Sequence, residues 1–472
     1  MKYILLSLSF LYCATVMGQT GKSGPLPTKQ QLAWHENEFY LFMHFGPNTF
    51  TGKEWGEGNE AEALFNPAQL DCNQWCAAAK AAGAKGIIIT AKHHDGFCLW
   101  PSKFSKHTVR ESSWKDGKGD VLKELSIACR ENGLRFGVYI SPWDRNHPDY
   151  GTDKYNDDFA GMLREVLLNY GPVWELWWDG ANGEGPNGKK QVYDWKRYEA
   201  LVRKISPQTV IFSDIGPDIR WTGNENGIAG DPNWNFLDTA GFKRGLGAPH
   251  NDTLAQGNVA GKLWIPSECD VSIRPGWFWH ADEDAKVKTP EELFQLYLKS
   301  VGRGANLLLN VPPDSRGLIP DADIASLNGF KKLRDESFSN NLLKDASIYY
   351  QFSQAELPGN NIQVRGNDQA GKSYSINLQN FNVQLQQPTK MNCIILREAI
   401  GMGQTIRKFK IVLYKGNRSV AEIQGNTIGH KRIVTFPVET VSSFRVFLED
   451  ARGIDNVSGV TAYLINEKLI RR

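Results

Sequence analysis

The chain has 472 residues, too many for one ordinary hydrophobic core, so a large domain with a smaller partner is the first expectation. Its 54 Lys and Arg balance 52 Asp and Glu, which leaves no electrostatic footprint for nucleic acid or an anionic membrane surface. Trp is plentiful at 15 residues. Indoles serve a core, and at strand ends they also pack the apolar face of a sugar ring.

Met1-Lys2, the apolar run 3–11 and Val16-Met17-Gly18 predict a secretory signal peptide over 1–18, cut before Gln19 and too short to anchor a membrane. Tyr12 before Cys13 is too bulky for a lipid-attachment site. A periplasmic or secreted protein with no membrane partner follows. Six cysteines remain: Cys72, Cys76, Cys98, Cys129, Cys269 and Cys393. Cys72 and Cys76 stand beside Trp75 on a predicted helix and read as a core-facing pair rather than a zinc or redox site. An oxidising compartment permits one or two disulfides, but the spacing names none.

In chain order, strands are predicted over 40–44, 86–91, 135–140, 173–178, 210–213, 263–266 and 306–310. Helices alternate with them over 70–82, 120–131, 158–169, 195–204 and 290–301, and Gly83, Gly133, Gly171 and Gly302 stand where positive-φ C′ residues belong. This alternation, with no GxGxxG after the first strand, predicts an α/β fold: a (β/α)8-like, TIM-type barrel over 19–342. The eighth strand is expected within the Gly- and Asn-rich stretch 218–261. A helix over 321–337 closes the barrel. From Ala346 short alternating segments (374–378, 408–413, 433–436, 443–448, 461–465) predict a C-terminal β-sandwich over 343–472.

Polar residues at the C-terminal ends of barrel strands build active sites. Here those ends carry His44, Lys92-His93-His94-Asp95-Gly96, Tyr139 and Trp143, and Trp177-Trp178-Asp179-Gly180. Trp221 to Glu225 follows the fifth strand; the 263–266 strand leads into Glu268-Cys269-Asp270 and Arg274-Pro275-Gly276-Trp277. Histidine, aromatic and carboxylate groups on one face suit a polyhydroxylated ring. Asp179 is partly desolvated yet reachable, and no helix follows for it to cap. Glycoside hydrolysis needs two carboxylates, and Asp179, Glu225 and Glu268 are the candidates, unpaired by sequence alone. A metal site through His93 and His94 is an alternative, but adjacent strand residues point to opposite faces unless the chain bends, and neither HxH nor HExxH is present. No metal or cofactor is expected.

Met43-His44-Phe45-Gly46, Glu54-Trp55-Gly56, Ala91-Lys92-His93-His94-Asp95-Gly96-Phe97, Trp177-Trp178-Asp179-Gly180 and Ser272-Ile273-Arg274-Pro275-Gly276-Trp277-Phe278 resemble the α-L-fucosidases of glycoside hydrolase family 29. The likeness runs from about Trp34 to Ser337. It implies an exo-acting retaining hydrolase of fucosylated oligosaccharides or glycoconjugates, with Asp179 as nucleophile. The Gly223-Asn224-Glu225 segment resembles the subgroup that prefers α1,3- and α1,4-linked fucose, which implies Glu225 as acid/base with Glu268 in reserve. By the same matching, His44, Trp55, His93, His94 and Tyr139 would bind fucose. Arg274 would hold a hydroxyl or the nucleophile side of the ring, and Trp277 would pack on the C6 methyl. The competing readings are a metal-dependent barrel hydrolase and a non-catalytic carbohydrate-binding protein. Sequons stand at Asn251, Asn417 and Asn456, and nothing in the chain indicates an oligomeric state.

Overall fold

The structure, a computed structural model, describes residues 24–351, 363–365, 380–453 and 457–470. The signal-peptide segment 1–18 and the strand expected over 374–378 lie outside the described residues.

Eight parallel strands close into a barrel in the order β1-β10-β9-β6-β5-β4-β3-β2. The strands are β1 Phe39–Met43, β2 Gly86–Lys92, β3 Arg135–Ile140, β4 Val173–Trp177, β5 Val210–Ser213, β6 Ile219–Trp221, β9 Ser267–Ser272 and β10 Asn306–Asn310. Between β6 and β9, β7 (Phe236–Leu237) and β8 (Leu263–Trp264) form a separate antiparallel pair. The 263–266 segment is therefore not a barrel strand, contrary to the sequence reading. The barrel strand starts at Ser267, whose successor Glu268 lies at its beginning rather than past its end.

The eighth strand does fall within 218–261, as the three residues of β6. Its central Arg220 hides it from a hydropathy pattern. That side chain is fully buried, with guanidinium nitrogens donating to the carbonyls of Leu254 (2.7 Å), Trp234 (2.9 Å) and Ile265. Carbonyls of the long following loop thus solvate a buried cation and, in return, are organised by it.

Alternation along each strand makes two cores. β1 sends Phe39, Leu41 and Met43 outward to meet helices Cys72–Ala81, Val121–Asn132 and Asp321–Phe338, while Tyr40 and Phe42 fill the interior with Ile88, Tyr139, Trp177, Phe212 and Leu308. Each fully buried aliphatic side chain contributes about 1.5–3 kcal/mol relative to exposure, so the two faces jointly hold the strand register. The N-terminal end of the barrel is stoppered by Trp34, from the helix Lys29–His35, whose indole donates to Glu175 at 3.0 Å. Gly133 caps its helix at φ 68°, as expected, but Gly302 has no positive φ. A Cβ there would lie 2.3 Å from the Leu298 carbonyl oxygen, so close approach, not backbone handedness, is what requires glycine.

The C-terminal part is one seven-stranded antiparallel sheet built from β11 Ser347–Gln351, β12 Gln363–Arg365, β13 Asn380–Glu398, β14 Ile406–Lys415, β15 Arg418–Gly425, β16 Arg432–Ala451 and β17 Val457–Tyr463. Segments 433–436 and 443–448 belong to the single strand β16, and β13 carries no alternating signal through Gln386-Gln387-Pro388. Both long strands change register between Gln384 and Thr389 and again between Met391 and Cys393. Apolar side chains from both halves, among them Phe381, Val383, Ile394, Val434 and Phe444, share one core. The sandwich-like packing thus comes from one sheet bent on itself. All six cysteines are buried and unbridged; Cys76 and Cys129 Sγ are 3.9 Å apart.

Candidate active site

Asp179 directly follows β4 and Trp178. The two indoles before it diverge: Trp177 points into the barrel and Trp178 outward against Trp195 and Tyr198. The Asp179 carboxylate is fixed at both oxygens. Oδ1 accepts the Ala181 N–H at 2.7 Å, and Oδ2 accepts the Tyr139 hydroxyl at 3.1 Å. Burial and the adjacent carboxylate hold the Tyr139 hydroxyl well above its usual range, so it stays a donor. With its side chain 27% exposed, Asp179 still faces the opening.

Three histidines line the wall from β1 and β2. A register shift between Thr90 and Lys92 bends the chain, and the His93 and His94 rings come to 4.3 Å of each other on the same side. His93 stacks on Tyr139, and His44 packs against His93 and Trp277. Burial drives all three toward neutrality: His44 is pushed down to about 3 and His94 to about 4, with His93 well below the usual imidazole range. The hydrogen-bond network assigns the tautomers of two of them. Asn310 donates its amide to Ser272 Oγ (2.9 Å) and the Trp277 carbonyl (2.8 Å), so its Oδ1 accepts from His44 Nδ1 at 2.8 Å. Ser141 Oγ donates to the Trp143 carbonyl at 2.7 Å, and therefore accepts from His94 Nδ1 at 2.8 Å. Both rings are left with an unprotonated Nε2, an acceptor for a hydroxyl proton.

Glu225 lies on the exposed loop after β6, and the Trp277 indole donates to its Oε2 at 3.2 Å. Partial burial and the charges of Asp179 and Glu54 push its carboxyl above the usual range. Glu54, of the Glu54-Trp55-Gly56 motif, binds the Trp277 backbone N–H (2.7 Å) and His280 Nε2 (2.7 Å), a role its motif did not reveal. A Cβ on Gly276 would come 2.2 Å from its Oε1, so a larger residue there would push the Glu54 carboxylate off the Trp277 backbone. Trp55 stands 54% exposed, edge-on to His94 and Trp143.

Two expected residues sit elsewhere. Glu268 is fully buried inside the barrel, accepting the Trp177 indole at 2.8 Å and the Tyr40 hydroxyl, with Glu175 beside it. One turn of alternation higher, buried Asp270 accepts the Trp221 indole at 2.9 Å. Burial and neighbouring charges raise Glu175 and Asp270 well above their ordinary range; burial also raises Glu268, opposed by its donors Tyr40, Glu175 and Trp177. Arg274 does not reach toward the histidine wall. Its guanidinium is buried against Asp323 (3.0 Å to Oδ1) and Asp284 (2.7 Å), which braces the loop leading to Trp277. Among the described residues, the His, Cys, Asp and Glu group whose ligand atoms converge is His147, Asp149 and Asp158, not His93 and His94. The Lys154 ammonium already neutralises both of its carboxylates.

A closed parallel barrel whose mouth joins a fixed carboxylate, a second carboxyl raised above its usual range, neutral histidines and indoles defines a carbohydrate-cleaving hydrolase. The family model described as "Alpha-L-fucosidase" matches residues 25–332, and the chain belongs to that family of glycoside hydrolases. It is 39% identical over 453 residues to "Alpha-L-fucosidase 1" of Arabidopsis thaliana, covering 93% of this chain and 88% of that protein. Among solved structures it resembles a glycoside hydrolase 29 family member from an unknown rumen bacterium (TM-score 0.82, 37% identity, 94% and 78% of the two chains). It also resembles a Ruminococcus gnavus GH29 fucosidase solved in complex with fucose (TM-score 0.82, 29% identity, 94% and 96%). The chain is an α-L-fucosidase acting on fucosylated glycans.

Proposed function

We propose that the chain is an exo-acting, retaining α-L-fucosidase that removes terminal α1,3- or α1,4-linked L-fucose from branched oligosaccharides, with Asp179 as nucleophile and Glu225 as acid/base. The observation that carries this reading is the division of labour between two reachable carboxyl groups. Asp179 is held by Tyr139 and Ala181 with room to attack, while partial burial and nearby carboxylates raise the Glu225 carboxyl. In the first step Asp179 attacks the anomeric carbon as the Glu225 proton passes to the departing oxygen, forming a fucosyl ester. In the second, the Glu225 carboxylate takes a proton from water, whose oxygen displaces Asp179. Two inversions retain the α configuration.

His44 and His94 accept sugar hydroxyl protons at Nε2, and His93, Trp55 and Tyr139 complete the wall. Trp277 lies against the C6 methyl, whose burial is worth about 1 kcal/mol, so hydroxyl geometry carries most of the selectivity. The linkage preference rests on the Gly-Asn-Glu resemblance, and export to the periplasm or medium rests on the 1–18 segment. Proton NMR of an aryl α-L-fucoside during hydrolysis tests the mechanism: α-fucose appears first, and β-fucose first would overturn it. A panel of α1,2-, α1,3-, α1,4- and α1,6-fucosylated oligosaccharides tests the linkage. An exported product that begins at Gln19 by N-terminal sequencing tests the signal peptide.

A further inference from the structure

The histidines, Tyr139 and Trp55 gather on the β1–β3 side, whereas Asp179 and Glu225, between which the bond to the rest of a fucosylated glycan would break, stand on the β4–β6 side. The segment 238–249 lies on that side. Its Gly245 packs beside Gly180, the residue after Asp179: a Cβ on Gly245 would lie 3.6 Å from the Gly180 carbonyl oxygen. Its Ala248 packs against the cluster of Ile215, Leu237, Leu254 and Ile265, on which Trp221, the last residue of the strand that leads to Glu225, also rests. The segment therefore bridges the supports of the two catalytic carboxyls.

It is also firmly anchored. The Gly245 N–H donates to Asp214 Oδ2 at 3.1 Å, and the Trp195 indole donates to the Arg244 carbonyl at 3.0 Å. The Arg244 guanidinium binds Glu199 at 2.6 Å and lies over the rings of Trp178 and Trp195. Lys243 and Gly247 exchange backbone hydrogen bonds at the tip. In this hairpin the charged Arg244 is tucked in, while Phe242 (41% exposed) and Leu246 (65% exposed) face solvent. Apolar side chains held out by an ordered turn, beside an active site, are what a binding surface presents, and little ordering entropy remains to be lost on contact.

We propose that the 238–249 hairpin is the leaving-group wall of this site, with Phe242 and Leu246 packing against the apolar face of the neutral hexose or N-acetylhexosamine that bears the fucose. This rests on the reading under Proposed function. An uncharged ring face fits because the two exposed side chains offer dispersion and apolar contact but no charge.

The test compares wild type with Phe242→Ser, Leu246→Ser and the double variant on two substrates, an aryl α-L-fucoside and a fucosyl trisaccharide branched at N-acetylhexosamine. On the trisaccharide, kcat/KM of the double variant is expected to fall about tenfold, mostly through KM, while the aryl fucoside changes less than about twofold. Equal losses on both substrates, or an unchanged trisaccharide, would overturn the inference. So would a wild type that cleaves the aryl fucoside but none of the α1,3- or α1,4-branched trisaccharides, since the wall would then have no sugar to hold. Wild type that cleaves neither substrate refutes the proposed function itself, so the two failures are distinguishable.

Discussion

The mouth and the floor of the barrel are built from the same residue types, yet only one of them is suited to chemistry. On the floor and lower wall, Glu175, Glu268 and Asp270 are each met by indole donors, from Trp34, Trp177 and Trp221, with the Tyr40 hydroxyl also on Glu268. At the mouth, Asp179 and Glu225 also have aromatic donors, Tyr139 and Trp277, but remain open to the outside. A carboxyl inside a barrel is therefore not catalytic by residue type or by perturbation alone. What distinguishes the mouth is an unspent lone pair that a substrate can reach. The floor carboxyls fill the opposite need, placing polar stitches inside a core where their neutral form costs least.

The sharpest way to break this comparison is Asp179→Ala. Turnover of an aryl fucoside should fall about 10⁴-fold with the thermal transition nearly unchanged, measured by initial rates and calorimetry. Next comes Glu225→Gln, expected to cost about 10²–10⁴-fold on substrates with sugar leaving groups and far less on activated aryl fucosides, with azide restoring part of the rate. The same carboxyl sets a pH limb. The acid must be protonated to act, so kcat/KM should fall as pH rises through the elevated Glu225 value, and this limb should be absent from the Gln variant's aryl-fucoside profile.

Ser141→Ala removes the oxygen that fixes the His94 tautomer and should lower kcat/KM about five- to tenfold, mainly in KM. Smallest of all, Glu268→Gln keeps an acceptor for Trp177 and turns an amide donor toward the Tyr40 hydroxyl, far from the mouth; activity within about threefold of wild type is expected. A large loss in this last variant, with folding intact, would erase the distinction between floor and mouth.

Much of the barrel was legible because buried parallel strands read as apolar runs separated by capped helices. Six of its strands begin and end within a residue of the expected positions. The two misjudged strands share a cause. β6 is interrupted by Arg220 and β9 reads Ser-Glu-Cys-Asp-Val-Ser, because both turn polar side chains into buried positions that the fold satisfies from elsewhere. Leu263-Trp264 looked more like a barrel strand than either. Strand-end position foretold that Asp179 and the histidines would meet at one mouth. It misled at Glu268, which was placed one strand boundary too late, and at Arg274, whose partners Asp284 and Asp323 are close only after folding. Glu54 was hidden for the same reason: its importance lies in what it braces, the Trp277 backbone and His280, more than two hundred residues away.

The stopper formed by Trp34 has a kinetic consequence. With the N-terminal end closed by that indole and the axis filled by Tyr40, Phe42 and Trp177, the site has a single doorway. Entry and exit share it, so liberated fucose competes with the next glycan for the same passage.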